Sequence, residues 1–111
     1  MIEKVSEITV NNIANYIRLQ LDETDDEDIK VRQELETYLK IAKNYISNYT
    51  GIPETSKVEG AETLDTYSDF IIVVYILCQD MYDNRVMYVD GKNINKVVQT
   101  ILDMHTRNNL W

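Results

Sequence analysis

Apolar residues recur along the chain at helical spacing in four segments. The first runs from about Val10 to Leu19 behind a Thr9 cap, with Ile13, Ile17 and Ala14 on its inner side. In the second, Leu35, Tyr38, Leu39, Ala42, Tyr45, Ile46 and Tyr49 recur at intervals of three and four, the stripe of an amphipathic helix. Thr24 and Glu27 have capping-box spacing and their acidic neighbours suit the positive end of a helix dipole, which predicts a start near residues 25–28. On the solvent side Lys30 with Glu34, Arg32 with Glu36 and Glu36 with Lys40 stand four apart, an arrangement that supports a helix. Gly51, free to adopt the left-handed conformation, and Pro53, which cannot continue a helix, predict the stop.

From Ile52 to about Asp65 no period survives, so this stretch reads as a surface loop. Thr66 and Asp69 repeat the capping-box spacing ahead of the apolar run Phe70–Cys78. That run is rich in β-branched residues, but it continues to Asp83 without a turn signal, and the length of about 20 residues favours a helix over a strand. Apolar all round at its centre, it is expected to be the helix around which the others pack. Asp90-Gly91 marks a turn, and Asn93 caps a last helix carrying Ile94, Val97, Val98, Ile101, Leu102 and His105 on one face. The terminal Leu110-Trp111 pair either folds back on its own domain or anchors on another subunit.

The expectation is therefore an all-α fold, a small helical bundle of about four helices with two long central ones, forming one domain over residues 1–111. At this length about 60–70% of the unfolded surface is buried, enough for one core. A compact domain of this size has a radius of gyration of about 13 Å. A helix of about 22 residues is about 33 Å long, so the two central helices are expected to cross the domain and expose loops at opposite ends.

Charge narrows the function classes. The 111 residues hold 19 Asp and Glu against 11 Lys and Arg, a net of −8. Six of the acids lie within residues 22–28, so the acidity is largely one segment. Val58 to Asn84 holds six acids and no Lys or Arg. Gripping DNA requires clustered cations to neutralise phosphates, so a DNA-binding face is not expected. A single Cys forms neither a disulfide framework nor a Cys-ligated zinc site and fits a reducing cytoplasm. Met1–Lys4 lacks the apolar region of a secretory signal, and the nine-residue run Phe70–Cys78 is too short for a bilayer that takes about 20 residues. Export and membrane insertion are not expected, and the Asn48–Thr50 sequon carries no weight without export.

Candidate chemistry is sparse. Cys78 sits in the most apolar stretch, where a thiol behaves as a small hydrophobe, and His105 continues an apolar stripe near a helix end, where packing or capping is expected of it. The acidic segment fails as a calcium loop, because Glu27 holds the position that requires Gly and Gln33 replaces the closing Glu. Asp80 and Asp83 share a helix face as magnesium ligands do in all-helical nucleotide pyrophosphohydrolases, but Glu34 and Glu36, two apart, do not make the second pair. Gly51, Gly60 and Gly91 are isolated and form no phosphate-cradling loop. No cofactor or metal is expected. The eight Tyr are more than one small core accommodates, and some of Tyr16, Tyr67, Tyr75, Tyr82 and Tyr88 are expected to meet a partner.

Three blocks, Tyr16–Asp28, Ala42–Gly51 and the apolar helix ending Met81-Tyr-Asp-Asn-Arg85, resemble in order and spacing the head-tail connector (adaptor) family of long-tailed double-stranded DNA bacteriophages and prophages. The closing stretch Ile101–Asn108 is similar to the ends of prophage members of the DNA packaging protein type. The resemblance implies a non-enzymatic, all-helical virion subunit, made in the bacterial host cytoplasm, that assembles into a ring of about twelve beneath the portal protein. Such a ring extends the DNA channel, lets DNA pass without sequence-specific binding, and docks a head-completion (stopper) or tail protein. It further implies partner contacts through Tyr82, Arg85, His105, Arg107, Leu110 and Trp111, with the last helix and tail on the portal. A wall poor in Lys and Arg suits sliding DNA, and the isolated chain is expected to be a monomer or small oligomer until a template or high concentration drives the ring.

Two other classes stay open. An acidic DNA mimic would occupy the groove of a DNA-binding protein in a salt-sensitive way, and a magnesium-dependent pyrophosphohydrolase would depend on Asp80.

Overall fold

A computed structural model describes residues 2–84 and 95–106. Among them are four α-helices and no strand: α1 (Val10–Ile17), α2 (Asp26–Thr50), α3 (Phe70–Asn84) and α4 (Lys96–Met104), with short 3-10 turns at Val5–Glu7 and Leu64–Thr66. The all-helical bundle expected from the periodicity is the architecture found.

Three of the helices, α1, α2 and α4, start at a side chain that accepts from their free amides. Thr9 caps α1, accepting from the Asn12 N–H at 3.3 Å while Asn12 Oδ1 accepts from the Thr9 N–H at 2.8 Å. The helix stops at Ile17, two residues before the expected Leu19, because Arg18 turns left-handed at φ 69°. The Arg18 N–H then reaches the Asn15 carbonyl at 3.1 Å and the Leu19 N–H that of Ala14 at 2.8 Å, a Schellman ending built without glycine.

The start of α2 falls within the expected window, but its cap is Asp25, whose Oδ1 accepts from the Glu27 N–H at 2.9 Å. Thr24 does not cap it; its hydroxyl and its N–H both donate to Asp22 Oδ1 at 2.8 Å. Asp25→Ala is expected to lower stability by about 1 kcal/mol, read as a lower urea midpoint at unchanged m-value. Gly51 closes the helix as expected, at φ 79° with its N–H on the Ser47 carbonyl at 2.9 Å. Leu35, Tyr38, Leu39, Ala42 and Ile46 form its buried stripe. The expected pairing of Arg32 with Glu36 is not made.

Two expectations for α3 change. Thr66 ends the 3-10 turn and accepts from the Thr63 N–H at 3.0 Å, and Asp69 bonds His105, so the Thr66–Asp69 capping box does not form. The helix is 15 residues, about 22 Å, against the 25 residues of α2, and only α2 reaches the length expected of both. Its sides also differ. Phe70, Val73, Val74, Leu77, Cys78 and Met81 are buried, whereas Ile72 is 37% exposed and Tyr75 and Ile76 are half-buried. The connection into α3 is anchored at Ile52 and Leu64, both buried, with the Leu64 N–H on the Pro53 carbonyl at 3.1 Å.

For α4 the cap is Asn95, accepting from Val97 N–H at 2.7 Å; the expected cap, Asn93, and Ile94 lie outside the described residues. Val98 and Leu102 pin the helix to the core. Its end meets the last turn of α2, where the Tyr49 hydroxyl donates to Asp103 at 2.5 Å, and the start of α3 through His105 and Asp69. Both α1 and α4 pack on α2 and α3, and they share no substantial contact with each other. The Cα radius of gyration is 14.5 Å, somewhat above the expected value. Among the described residues no helix is long and apolar enough to cross a membrane.

Candidate interaction surfaces

Of the six residues expected at partner contacts, two are described. Tyr82 lies on the last turn of α3, half-buried and packed against the core. His105 directly follows α4 and turns inward: its Nε2 is 2.8 Å from Asp69 Oδ2, and its ring lies 4.2 Å from that of Tyr67 and 5.0 Å edge-on from Phe70. These contacts give His105 the packing role that its place on an apolar stripe suggested, and they tie the end of α4 to the start of α3. Arg85, Arg107, Leu110 and Trp111, like Tyr88, lie outside the described residues.

Three tyrosine hydroxyls find carboxylates within the chain, two from the core stripe of α2 and one, Tyr67, from the set expected to meet a partner. The Tyr38 hydroxyl donates to Glu34, that of Tyr67 to Glu62 and that of Tyr49 to Asp103. The first pair was legible as Glu34-x-x-x-Tyr38 on one helix face, a spacing that places the two side chains together. The others depend on tertiary approach or a loop path. Hydrogen bonding to the Asp103 carboxylate, with lesser help from burial, pushes the Tyr49 phenol up to about 12.

Of the six exposed large apolar residues described, Ile29 lies on α2 and Val58 in the connection before α3, and the other four fall on two surfaces. On the α1–α3 flank the Tyr16 and Tyr75 rings stack at 4.9 Å with 18° between planes, and Ile72 lies one turn from Tyr75 on α3. Tyr16 and Ile72 are 36% and 37% exposed. On α4, Val97 and Met104, seven apart and so on one face, are 53% and 67% exposed. The apolar period of α4 puts Val97 on the inner face of its helix, and the structure leaves it outside. Val98 and Leu102 occupy the inner side because the core meets α4 along a narrower stripe than its apolar residues span.

The acidic segment is organised by its own backbone. Asp28 Oδ2 accepts from the Asp22 N–H at 2.7 Å, and the bonds from the Thr24 backbone and hydroxyl hold the Asp22 carboxyl below the usual range. Three of its carboxylates thus serve local amides and the start of α2, in keeping with a solvated, dipole-complementing helix start. Cys78 is fully buried, and burial pushes its thiol up to about 12, against the opposing charge of Lys43. Asp80 and Asp83 do share a face of α3; partial shielding, and secondarily the Asp83 charge, raises the Asp80 carboxyl above its ordinary range. Glu34 is engaged by Tyr38, and among the described residues no three His, Cys, Asp or Glu gather as metal ligands.

Compared with family models, curated proteins and solved structures, the chain matches none of them.

Proposed function

We propose that this chain is a structural subunit of a phage-type head-tail connector, which self-associates head to tail into a ring under a portal protein. The observation that carries this reading is the pair of separated apolar patches, Tyr16–Ile72–Tyr75 and Val97–Met104. A symmetric dimer uses one patch twice; two different patches, one on the α1–α3 flank and one on the exposed side of α4, suit a heterologous contact, in which one face of each copy meets the other face of the next. Such contacts close into a ring when the rotation per copy allows it. The three sequence blocks that resemble connectors supply the biological setting. The absence of Lys and Arg from Val58 to Asn84, which includes all of α3, suits a wall past which DNA slides.

The test changes one patch and reads assembly. Val97→Asp with Met104→Asp alters exposed positions only, so the helical circular dichroism and melting of the isolated chain are expected to persist. Light scattering after size exclusion is expected to show, for the wild type, a monomer or small oligomer alone and rings with the cognate portal, and for the variant no rings in either case. A tight dimer that ignores both the portal and these substitutions would overturn the reading. Salt-sensitive binding to a DNA-binding protein would favour the DNA-mimic class, and Asp80-dependent hydrolysis of nucleoside triphosphates the pyrophosphohydrolase class.

A further inference from the structure

Between α1, the segment that follows it and the first half of α2 lies a cleft of about 360 Å³ lined by Asn11, Ala14, Asn15, Leu19, Gln20, Leu21 and Arg32. Its chemistry is uneven. Ala14, Leu19 and Leu21 supply apolar surface, Asn11, Asn15 and Gln20 supply carboxamides, and Arg32 is the only charged residue of the lining. The Nε of Arg32 is shielded from solvent and has no acceptor within reach. Buried donors in folded proteins are ordinarily paired, so an unpaired one calls for a reason.

Local pairing explains why Arg32 is left over. On a helix an arginine ordinarily meets acids four residues away. Asp28, four before it, is bonded to the Asp22 N–H at 2.7 Å, and Glu36, four after it, makes no ion pair with it. Arg32 instead lines the cleft together with Asn11 and Asn15 of α1.

We propose that this cleft is a binding site for a single carboxylate attached to a neutral, partly apolar body, with Arg32 as the anion-binding group. A guanidinium presents paired N–H donors that match a carboxylate, and a small swing of this flexible side chain brings Nε into such a fork. Side-chain amides of Asn11, Asn15 and Gln20 can donate to the same group or to an adjoining amide, and the leucines add a small apolar contact beside them. The rim sets the charge limit. The acidic stretch Asp22–Asp28 begins one residue beyond Leu21 and ends one turn before Arg32, so polyanions such as di- and triphosphates are repelled where a monoanion is tolerated. The site is independent of the connector reading, and its failure leaves that reading untouched.

The full chain, isotope-labelled, is titrated with N-acetyl-leucine while the Arg32 Nε–H and the side-chain amide resonances of Asn11, Asn15 and Gln20 are followed by NMR. Saturable shifts at these groups are expected, with N-acetyl-leucinamide and pyrophosphate producing none. Arg32→Lys, which keeps the charge and loses the fork, is expected to weaken binding at least about tenfold. Asn15→Asp, at an exposed position that leaves the fold intact, is expected to abolish it by placing a second anion in the cleft. Acetyl-Ala-Ala-Leu with a free carboxyl separates the sources: tighter binding than N-acetyl-leucine marks a protein chain end, equal binding a free small acid, and either result supports the site. No saturable shift, equal shifts with the amide, preference for pyrophosphate, or unchanged binding by Asn15→Asp would overturn it.

Discussion

Replacing Phe70 with Ala is expected to remove about 3–5 kcal/mol of folding stability, a large part of the 5–15 kcal/mol available to a domain of this kind. Phe70 is fully buried at the first position of α3. Its ring meets Tyr67 edge-on at 5.7 Å and His105 at 5.0 Å, so it fills the joint between the 3-10 turn, α3 and the end of α4. Removing it leaves a cavity whose walls belong to three elements, none of which can collapse without dragging the others. Urea denaturation followed by far-UV circular dichroism is the measurement. The control lies two residues away: Ile72→Ala, in the same apolar run but 37% exposed, is expected to cost much less than Phe70→Ala. Equal losses at the two positions would contradict the packing described for α3.

The second large effect appears in alkali. The Cys78 thiol is raised from 9.0 to about 12, chiefly by burial away from water. Because the folded state holds this proton more tightly than the unfolded state, the contribution is complete below about pH 9 and is lost as pH rises toward 12. The span corresponds to about 4 kcal/mol, at roughly 1.4 kcal/mol per pH unit. Tyr49 works in the same direction between its ordinary value of 10.0 and about 12, since its bond to Asp103 requires the phenol proton. Urea midpoints measured from pH 8 to 12 should therefore fall steeply for the wild type. Cys78→Ala should show a shallower fall, and a curve parallel to the wild type would contradict the burial assigned to this thiol. Native protein should also be unreactive toward thiol reagents at neutral pH, since the thiolate is both scarce and covered.

Local chemistry was readable residue by residue. Thr9 as the α1 cap, Gly51 as the α2 stop and the Leu35–Ile46 stripe depend on groups within one or two turns of each other, and each stands in the structure as the spacing implied. The misreadings were competitions between near-equivalent groups. Thr24 and Asp25 both have caps to offer, and Asp22 draws Thr24 away. At α4 the cap is Asn95, two residues after the Asn93 that the spacing favours. Arg18 takes a left-handed conformation that is common only for Gly and Asn, so the early end of α1 carried no sequence signal. For the candidate surfaces the position is similar. Sequence reading named His105, but its docking between Tyr67, Phe70 and Asp69 joins residues about 35 or more apart in the chain to a ring whose orientation no spacing rule specifies.

The period of the apolar residues, the capping groups and the glycine punctuation, all short-range properties, were enough to determine that this protein is helical, roughly where its helices run and that its acidity is concentrated around the start of α2. Tertiary structure alone decided which side of α3 faces water, that Val97 and Met104 are left outside, that the tyrosine hydroxyls of Tyr49 and Tyr67 find carboxylates, and that Arg32 lines a cleft without an acceptor for its Nε. The reason is physical: helix formation is governed by bonds three to five residues apart, whereas exposure and pairing depend on which surfaces of distant helices exclude water from one another.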